Sequence, residues 1–466
     1  MTPLLIALIV LSATPSKAPI LDPATRARVD VLVRSTMAHQ HLPGLSIAIA
    51  RGSDRIYERG YGYRDLARHI PADVRTVYNI ASCTKQFTAS AIMLLQQDGK
   101  LKLDDKLSRY LPEFRHGSSI TLRELLTHTS GIPDYADLND LAHKATARQF
   151  VDLVRDAPLD FPPGTQFEYS NTNYVILGMI VEQISGLSYS TFLSRRIFGP
   201  LGMKSTSTRV VPESQPDGAI GYTYDRKIVP ALQTPDDLGY GDGTVNTSVD
   251  DLVTWDSALD GGDVVSAASW RAMTRAPLRS GYGPRGGYGY GLDLSTLYGH
   301  HEVSHEGFNI GFASVNATFP DDDLEIIALS NGDPFYEDIL VKRVFALIIP
   351  PTAEHLAADA ASAPGEDSAV TSATKRLLTE MQAGRVDRHA VTSGLAAQLT
   401  PVQARQLCED VGAVGPQTML IYRDWQYRDR IKDYSYEAHF AHAVVAVDVT
   451  LAPGGEIASI ELARED

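Results

Sequence analysis

The stretch Asn79-Ile80-Ala81-Ser82-Cys83-Thr84-Lys85-Gln86-Phe87-Thr88 runs directly into the apolar segment Ala89–Leu95. A continuous apolar run of that length, opened by polar residues, suits a buried helix. Residues i and i+3 share a helix face, so the Ser82 hydroxyl is expected beside the Lys85 amine. A serine hydroxyl is a weak nucleophile until a neighbour takes its proton. A lysine withdrawn from water holds its own proton less tightly and can be that neighbour. Ser-x-x-Lys spacing alone is common by chance, so its meaning rests on what accompanies it.

Upstream, Asp22–Gln40 reads as an amphipathic helix with Val29, Leu32, Val33 and Met37 on one face. Pro43-Gly44 turns the chain into strands Leu45–Ala50 and Tyr57–Tyr61, a hairpin around Arg51-Gly52-Ser53. The run Gly60-Tyr61-Gly62-Tyr63 lacks the Lys-Ser/Thr of a phosphate loop and reads as a tight bend.

Downstream, Ile120–Pro133 reads as a short helix ending at Gly131, with Thr121 and Glu124 at capping-box spacing. His128 and Ser130 within it read as parts of a helix end rather than as a catalytic pair. The loop Gly164–Tyr174 then leads into a helix, Val175–Ile184, closed by Gly186. Its Tyr169-Ser170-Asn171 can turn a phenol and an amide toward Ser82. A nearby lysine ammonium favours the phenolate, which makes Tyr169 a candidate base. Taken alone, that residue reads more plainly as a core tyrosine.

After a glycine-rich loop, Thr247–Leu252 starts an N-capped helix carrying Leu252, Trp255 and Leu259 inward, and Gly286–Leu292 reads as a turn and strand. His305-Glu306-Gly307-Phe308 precedes strands Ala313–Phe319 and Leu324–Ser330, which are joined by the acidic turn Pro320–Asp323. Gly307 has no side chain, so a substrate can lie against that backbone. His305 can donate or accept near neutral pH, whereas the flanking His300 and His301 read as structural. A helix from Glu337 to Ile348 closes the unit.

A chain of 466 residues is too long for one typical domain. Its 44% hydrophobic and 21% charged residues are those of a soluble globular protein. A net charge of −15 argues against nucleic acid, whose phosphates need a basic face. The apolar run Leu4–Leu11 is too short to span a membrane. With Ser16-Lys17-Ala18 as a small-x-small cleavage site, residues 1–18 read as a secretory signal peptide, although Met1-Thr2-Pro3 carries no Lys or Arg. Export to the periplasm or medium follows, an uncleaved membrane anchor being the alternative. No later segment reads as membrane-spanning.

Cys83 and Cys408 read as buried and unpaired, a Cys/His catalytic pair at Cys83 being the lesser reading. No cluster has zinc-site spacing, and no metal or cofactor is called for. Residues 22–350 form the main domain, and the Ala/Ser/Pro-rich stretch 351–372 reads as a linker. Residues 373–466 read as a small α+β domain. Its expected elements are helices Thr374–Ala383 and Pro401–Gly412, then strands Thr418–Trp425, Tyr434–Phe440, Ala443–Leu451 and Ile457–Leu462, with a hairpin at Pro453-Gly454-Gly455. That domain carries no catalytic constellation. An accessory role is expected, with a partner the residues do not specify.

Ser82-x-x-Lys85, Tyr169-x-Asn171 and His305-x-Gly307 stand in the order found in the serine β-lactamase and penicillin-binding-protein family, which the chain resembles over residues 22–350. The likeness is to its class C-like branch of carboxypeptidases, esterases and D-aminopeptidases. Leu125–Gly131, Pro200-Leu201-Gly202-Met203 and the Asp251-Leu252 region also match family patterns. The resemblance implies an α+β fold, an antiparallel sheet flanked by helices beside an all-helical region. It implies Ser82 as the acylated nucleophile, with Lys85 and Tyr169 moving protons. It further implies the backbone N–H groups of Ser82 and Phe308 as the oxyanion hole, and Asn171, His305 and Gly307 as substrate contacts.

Class C β-lactamases usually carry Lys-Thr-Gly where this chain has His305-Glu306-Gly307. A mostly neutral histidine does not supply the fixed cation that holds a substrate carboxylate. The class A Glu-x-x-Leu-Asn pattern is also missing. The expected function is therefore a serine acyl hydrolase for a small peptide, amide or ester, of D-alanyl peptidase or esterase type. The alternatives are a β-lactamase, or a penicillin-binding receptor or scaffold without turnover.

Overall fold

The expected hairpin forms and is longer than its sequence suggests, with strands Gly44–Arg51 and Asp54–Asp65 paired antiparallel. The computed structural model describes residues 20–138, 146–276 except 209, 211, 225 and 232–238, and 286–352 except 334–336. It also describes 355 and 366–464 except 387–390, 399–404, 406–407, 410, 429–430, 442–443 and 453–455.

The hairpin belongs to an eight-stranded antiparallel sheet. Across it run Ile70–Pro71, Asp54–Asp65, Gly44–Arg51, Leu324–Ser330, Phe312–Phe319, His300–Asn309, Asp293–Leu297 and Gly287–Tyr288. Its two central strands are buried on both faces, which explains their nearly continuous apolar sequences. Period two sorts their side chains. Leu45, Ile47, Ile49, Ile326 and Ala328 pack with the helices Pro23–His39 and Glu337–Ile348, whereas Ala48, Ala50, Ile327 and Leu329 face the helical region. A fold with one large antiparallel sheet covered by helices is the α+β architecture expected from the sequence.

Within the helical region, Thr84–Gln97 is buried at every residue through Leu95. Asn171–Ser185 packs beside it and ends at Gly186, whose φ of +70° closes the helix at no steric cost. The capping box of Thr121 and Glu124 forms, but its helix covers only Leu122–Leu126 and does not reach Gly131. His128, at a φ of +53°, takes the chain out of helical geometry. Gly131, at +73°, lies in a later turn pressed against the Phe161 carbonyl.

The helix Ser368–Gln382 and the strands Gln417–Arg428, Ile431–Phe440, Val444–Leu451 and Ile457–Arg464 form an α+β unit with its own core. Those strands make a simple antiparallel meander. Residues 1–18, the turn 453–455 and much of both 351–372 and 401–412 lie outside the described residues. Cys83 and Cys408 are both buried, and neither forms a disulfide. No single helix among the described residues is long and apolar enough to cross a membrane.

Candidate active site

From Thr76 to Leu95, Ser82 is the one residue that keeps any appreciable exposure. It sits in a single 3-10 turn, Ala81–Cys83, that feeds the helix starting at Thr84, rather than in the helix proper. Ala81 has a φ of +43°, a costly conformation for a residue with a Cβ. Asn79 holds that turn. Its Oδ1 accepts from the Ala81 N–H at 3.2 Å and from Asn309 Nδ2 at 3.2 Å, while its Nδ2 donates to the Gly243 carbonyl at 3.1 Å. Strain fixed by a buried hydrogen-bond set leaves the serine hydroxyl presented and the rest of the segment enclosed.

The i to i+3 pairing expected from sequence is made. Lys85 Nζ donates to Ser82 Oγ at 3.0 Å, and also to Asn171 Oδ1 at 2.8 Å and the Asp242 carbonyl at 3.0 Å. Lys85 is wholly buried. Burial lowers its pKa to about 8, against the upward pull of the Asp242 and Asp134 carboxylates. A fraction of neutral amine is therefore present near neutral pH, beside the Ser82 hydroxyl.

Tyr169 comes to the same place, its hydroxyl hydrogen-bonded with the Ser82 side chain. The phenolate expected from sequence is not what this environment favours, because burial pushes the phenol well above its ordinary pKa. Lys85 Nζ lies 4.7 Å from the Tyr169 ring centroid, over the ring face. Tyr169 is thus a neutral phenol, suited to relay a proton between Ser82 and a leaving group.

Asn171 opens the helix Asn171–Ser185, and its amide is committed on both sides. Its Oδ1 accepts from Lys85, while its N–H and Nδ2 donate to Asp134 Oδ2 at 3.0 and 2.9 Å. The residue expected to hold a substrate amide is here first a brace for the lysine. His128 braces the tyrosine. Its buried ring accepts at Nδ1 from the Ser170 N–H and from Asn173 Nδ2, and packs 4.3 Å from the Tyr169 ring. Ser130 donates to Asn173 Oδ1 at 2.7 Å, so it makes no pair with His128.

His305 was expected to meet substrate, and the structure commits it elsewhere. The side chain is buried, Nδ1 donates to the Glu306 carbonyl at 2.6 Å, and Nε2 accepts from the Tyr288 hydroxyl at 2.8 Å. Burial first, and Lys85 second, lower its pKa to about 3. It is neutral with both nitrogens engaged, so it offers no charge to a substrate carboxylate.

Gly307 has a different reason from the one expected. A Cβ there would lie 2.2 Å from the Ile80 carbonyl oxygen and 3.0 Å from the Ser82 nitrogen. The missing side chain lets the strand His300–Asn309 approach the nucleophile's turn. Phe308, the next residue, is 60% exposed. Gly307→Ala is expected to force that strand and the Ala81–Cys83 turn apart. Thermal unfolding should show a loss of about 1–3 kcal/mol, the usual cost of overpacking. Ester kinetics should show kcat/KM falling roughly 100-fold, as a displacement near 1 Å does.

Asp134, Asp242, Tyr288 and Asp293 were not legible as site residues. Asp293, on the strand beside His305, is a carboxyl that burial lifts well above its usual pKa, and it feels the charge of Lys85. Tyr288 fell within the expected turn and strand Gly286–Leu292, where it forms a short strand with Gly287, and nothing in the local sequence marks any of the four as chemical.

A presented serine bonded to a buried, partly deprotonated lysine and a neutral tyrosine defines a serine acyl hydrolase of the β-lactamase fold. The chain belongs to the Beta-lactamase family, whose profile matches residues 29–347. It is 32% identical over 404 residues to Penicillin-binding protein 4* of Bacillus subtilis (strain 168), covering 81% of this chain and 86% of that one. Among solved structures it resembles a D-stereospecific amidohydrolase from Streptomyces sp., with a TM-score of 0.62 and 26% identity over 71% of this chain and 100% of that one. It shares its fold, with a TM-score of 0.63 and 23% identity, with the octameric penicillin-binding protein homologue from Pyrococcus abyssi, over 94% of this chain and 95% of that one.

Proposed function

We propose that the enzyme hydrolyses a small amide, ester or peptide through an acyl-enzyme on Ser82, with D-configured amino-acid amides as its substrate class. The observation that carries the reading is the 3.0 Å contact between Lys85 Nζ and the partly exposed Ser82 hydroxyl. In acylation, neutral Lys85 takes the Ser82 proton as Oγ attacks the carbonyl. The Tyr169 hydroxyl then passes its proton to the leaving amine or alcohol and is reprotonated at the expense of the Lys85 ammonium, which returns the lysine to its neutral form. The same groups run in reverse to activate water for deacylation. The backbone N–H groups of Ser82 and Phe308 stabilise the oxyanion, a device worth about 3–4 kcal/mol per donor.

The buried, neutral His305 supports an amide or ester over a free carboxylate, since it provides no cation at the position where class C enzymes carry lysine. Likeness to a D-stereospecific amidohydrolase supports the stereochemistry. Slow turnover of penicillins is the second reading, favoured by the identity to a penicillin-binding protein. The same proposal places the enzyme outside the cytoplasm once residues 1–18 are removed, its tail domain free to meet a partner.

The test is intact mass after mixing with a penicillin, run beside D- and L-amino-acid p-nitroanilides, a p-nitrophenyl ester and nitrocefin. Cleavage of the D-anilide and the ester, with a lasting penicillin adduct and little nitrocefin turnover, is the expected result. Fast nitrocefin turnover without an adduct would make the protein a β-lactamase. Neither adduct nor cleavage would leave a binding protein without turnover.

A further inference from the structure

Beside the catalytic helix, but lined by none of Ser82, Lys85, Tyr169, Asn171 or His305, lies a cavity of about 380 Å3. Four of its lining residues are polar and more than nine-tenths buried, namely Gln86, Asp256, Asn316 and Glu325. Each carries an atom with no hydrogen-bond partner among the described residues: Gln86 Nε2, Asp256 Oδ2, Asn316 Oδ1 and Glu325 Oε1. Buried polar groups are ordinarily satisfied, so four orphans on one wall need an occupant. Their other atoms are engaged where partners exist. Asn316 Nδ2 donates to Asp256 Oδ1 at 3.0 Å, and Trp255 Nε1 donates to Gln86 Oε1 at 2.6 Å.

No ion pair among the described residues places a cation of the protein on either carboxylate. Arg55 acts on Glu325 at a distance, but its guanidinium is paired with Glu58 and Asp250 at 2.9 and 2.8 Å. Arg271, also in the cavity wall, is exposed, and no ion pair among the described residues joins it to either acid. Burial accordingly raises both carboxyls, Asp256 to about 7. With both carboxyls ionised, as a cationic occupant would hold them, the unmet set consists of three acceptors and one amide donor. No group of three acidic, histidine or cysteine residues capable of holding a metal ion exists among the described residues. Three acceptors match the three N–H donors of a primary ammonium, and the remaining wall includes Leu259 and Trp270.

We propose that this cavity binds a primary alkyl- or arylalkylammonium ion, its N–H groups on Asp256 Oδ2, Glu325 Oε1 and Asn316 Oδ1 and its apolar chain against Leu259 and Trp270. Gln86 follows Lys85 directly in the chain, so an occupant there touches the helix that carries the catalytic lysine. The site is independent of whichever acyl group Ser82 accepts.

The test is thermal unfolding and calorimetric titration of the full chain with n-butylammonium, phenethylammonium, tetramethylammonium and potassium chlorides at matched ionic strength and pH 8. A ligand that binds only the folded state raises Tm, by about 2–4 °C near saturation for affinities of this kind. The two primary ammonium ions should give a saturable rise and measurable binding heat. Tetramethylammonium, which has no N–H donor, should behave like potassium. In D256N/E325Q both signals should vanish, while wild-type ester hydrolysis without amine is retained within a few-fold. The single variant Glu325→Gln, with binding weakened at least tenfold, serves if the double variant does not fold. Absence of a rise above potassium, an equal rise with tetramethylammonium, or an undiminished rise in the variants would each overturn the site.

Discussion

Ser82→Ala is expected to remove acyl-enzyme formation entirely and to lower kcat/KM on a p-nitrophenyl ester by roughly 10^4–10^6, the range seen when a covalent nucleophile is deleted. The variant should fold normally. Ser82 lies in a tight turn whose geometry is held by Asn79 and by the packing of Gly307, and its hydroxyl makes none of the bonds that hold that turn. Removing the hydroxyl leaves Lys85 with two other acceptors, Asn171 Oδ1 and the Asp242 carbonyl, so the buried amine is not stranded. Intact-mass spectrometry after exposure to a penicillin or an activated ester is the deciding measurement. An adduct on the alanine variant, or ester turnover within tenfold of wild type, would place the nucleophile elsewhere.

The second large effect belongs to Lys85. Its pKa of about 8 reflects burial partly offset by the Asp242 and Asp134 carboxylates, and in the proposed mechanism the neutral amine takes the Ser82 proton. Below pH 8, kcat/KM should therefore climb about tenfold per pH unit, then level above it. Lys85→Arg keeps a cation that does not lose its proton in this range and should cost at least about 10^3 in kcat/KM while abolishing that climb. Tyr169→Phe should slow the reaction roughly 10^2–10^4-fold, as loss of a proton relay does, yet keep the same alkaline rise. The phenol titrates well above the range examined, whereas the lysine does not. A pH–rate profile unchanged in the arginine variant would exclude Lys85 as the base.

The same shift carries a stability consequence. Unfolded Lys85 regains its ordinary value of 10.5 and binds more protons than the folded protein above about pH 8. Its contribution to folding therefore becomes more favourable as pH rises from about 8 to 10.5. Below that window the cost of burying the ammonium is present in full.

Local pattern was enough for the elements. The run Leu45–Ala50 forms its expected strand within Gly44–Arg51, and the helix Glu337–Ile348 has the bounds its sequence implies. Ser82 and Lys85 were readable because three residues of separation is a local distance, preserved even though Ser82 occupies a 3-10 turn rather than the helix. What pattern reading missed arises from long-range neighbours. The expected end at Gly131 was not met: the helix stops at Leu126, and His128, at positive φ, turns to bond Ser170 and Asn173 and to pack on the Tyr169 ring, all about forty residues later. Likewise, Asp134 and Asp242 come to the lysine across loops that local sequence does not mark as chemical.

Local pattern in the chain determined the hairpin, the buried helix and the placing of Lys85 beside Ser82, which depend on periodicities of two and 3.6 residues and on a spacing within one turn. The antiparallel α+β architecture was expected from the order of the three motifs and their resemblance to a known family. Protonation was decided only by tertiary structure. Desolvation depends on what encloses a group, and enclosure is a property of packing rather than of spacing. Burial lowered the pKa of Lys85, kept Tyr169 a phenol against the expectation drawn from its lysine neighbour, and left His305 a neutral histidine with both ring nitrogens hydrogen-bonded.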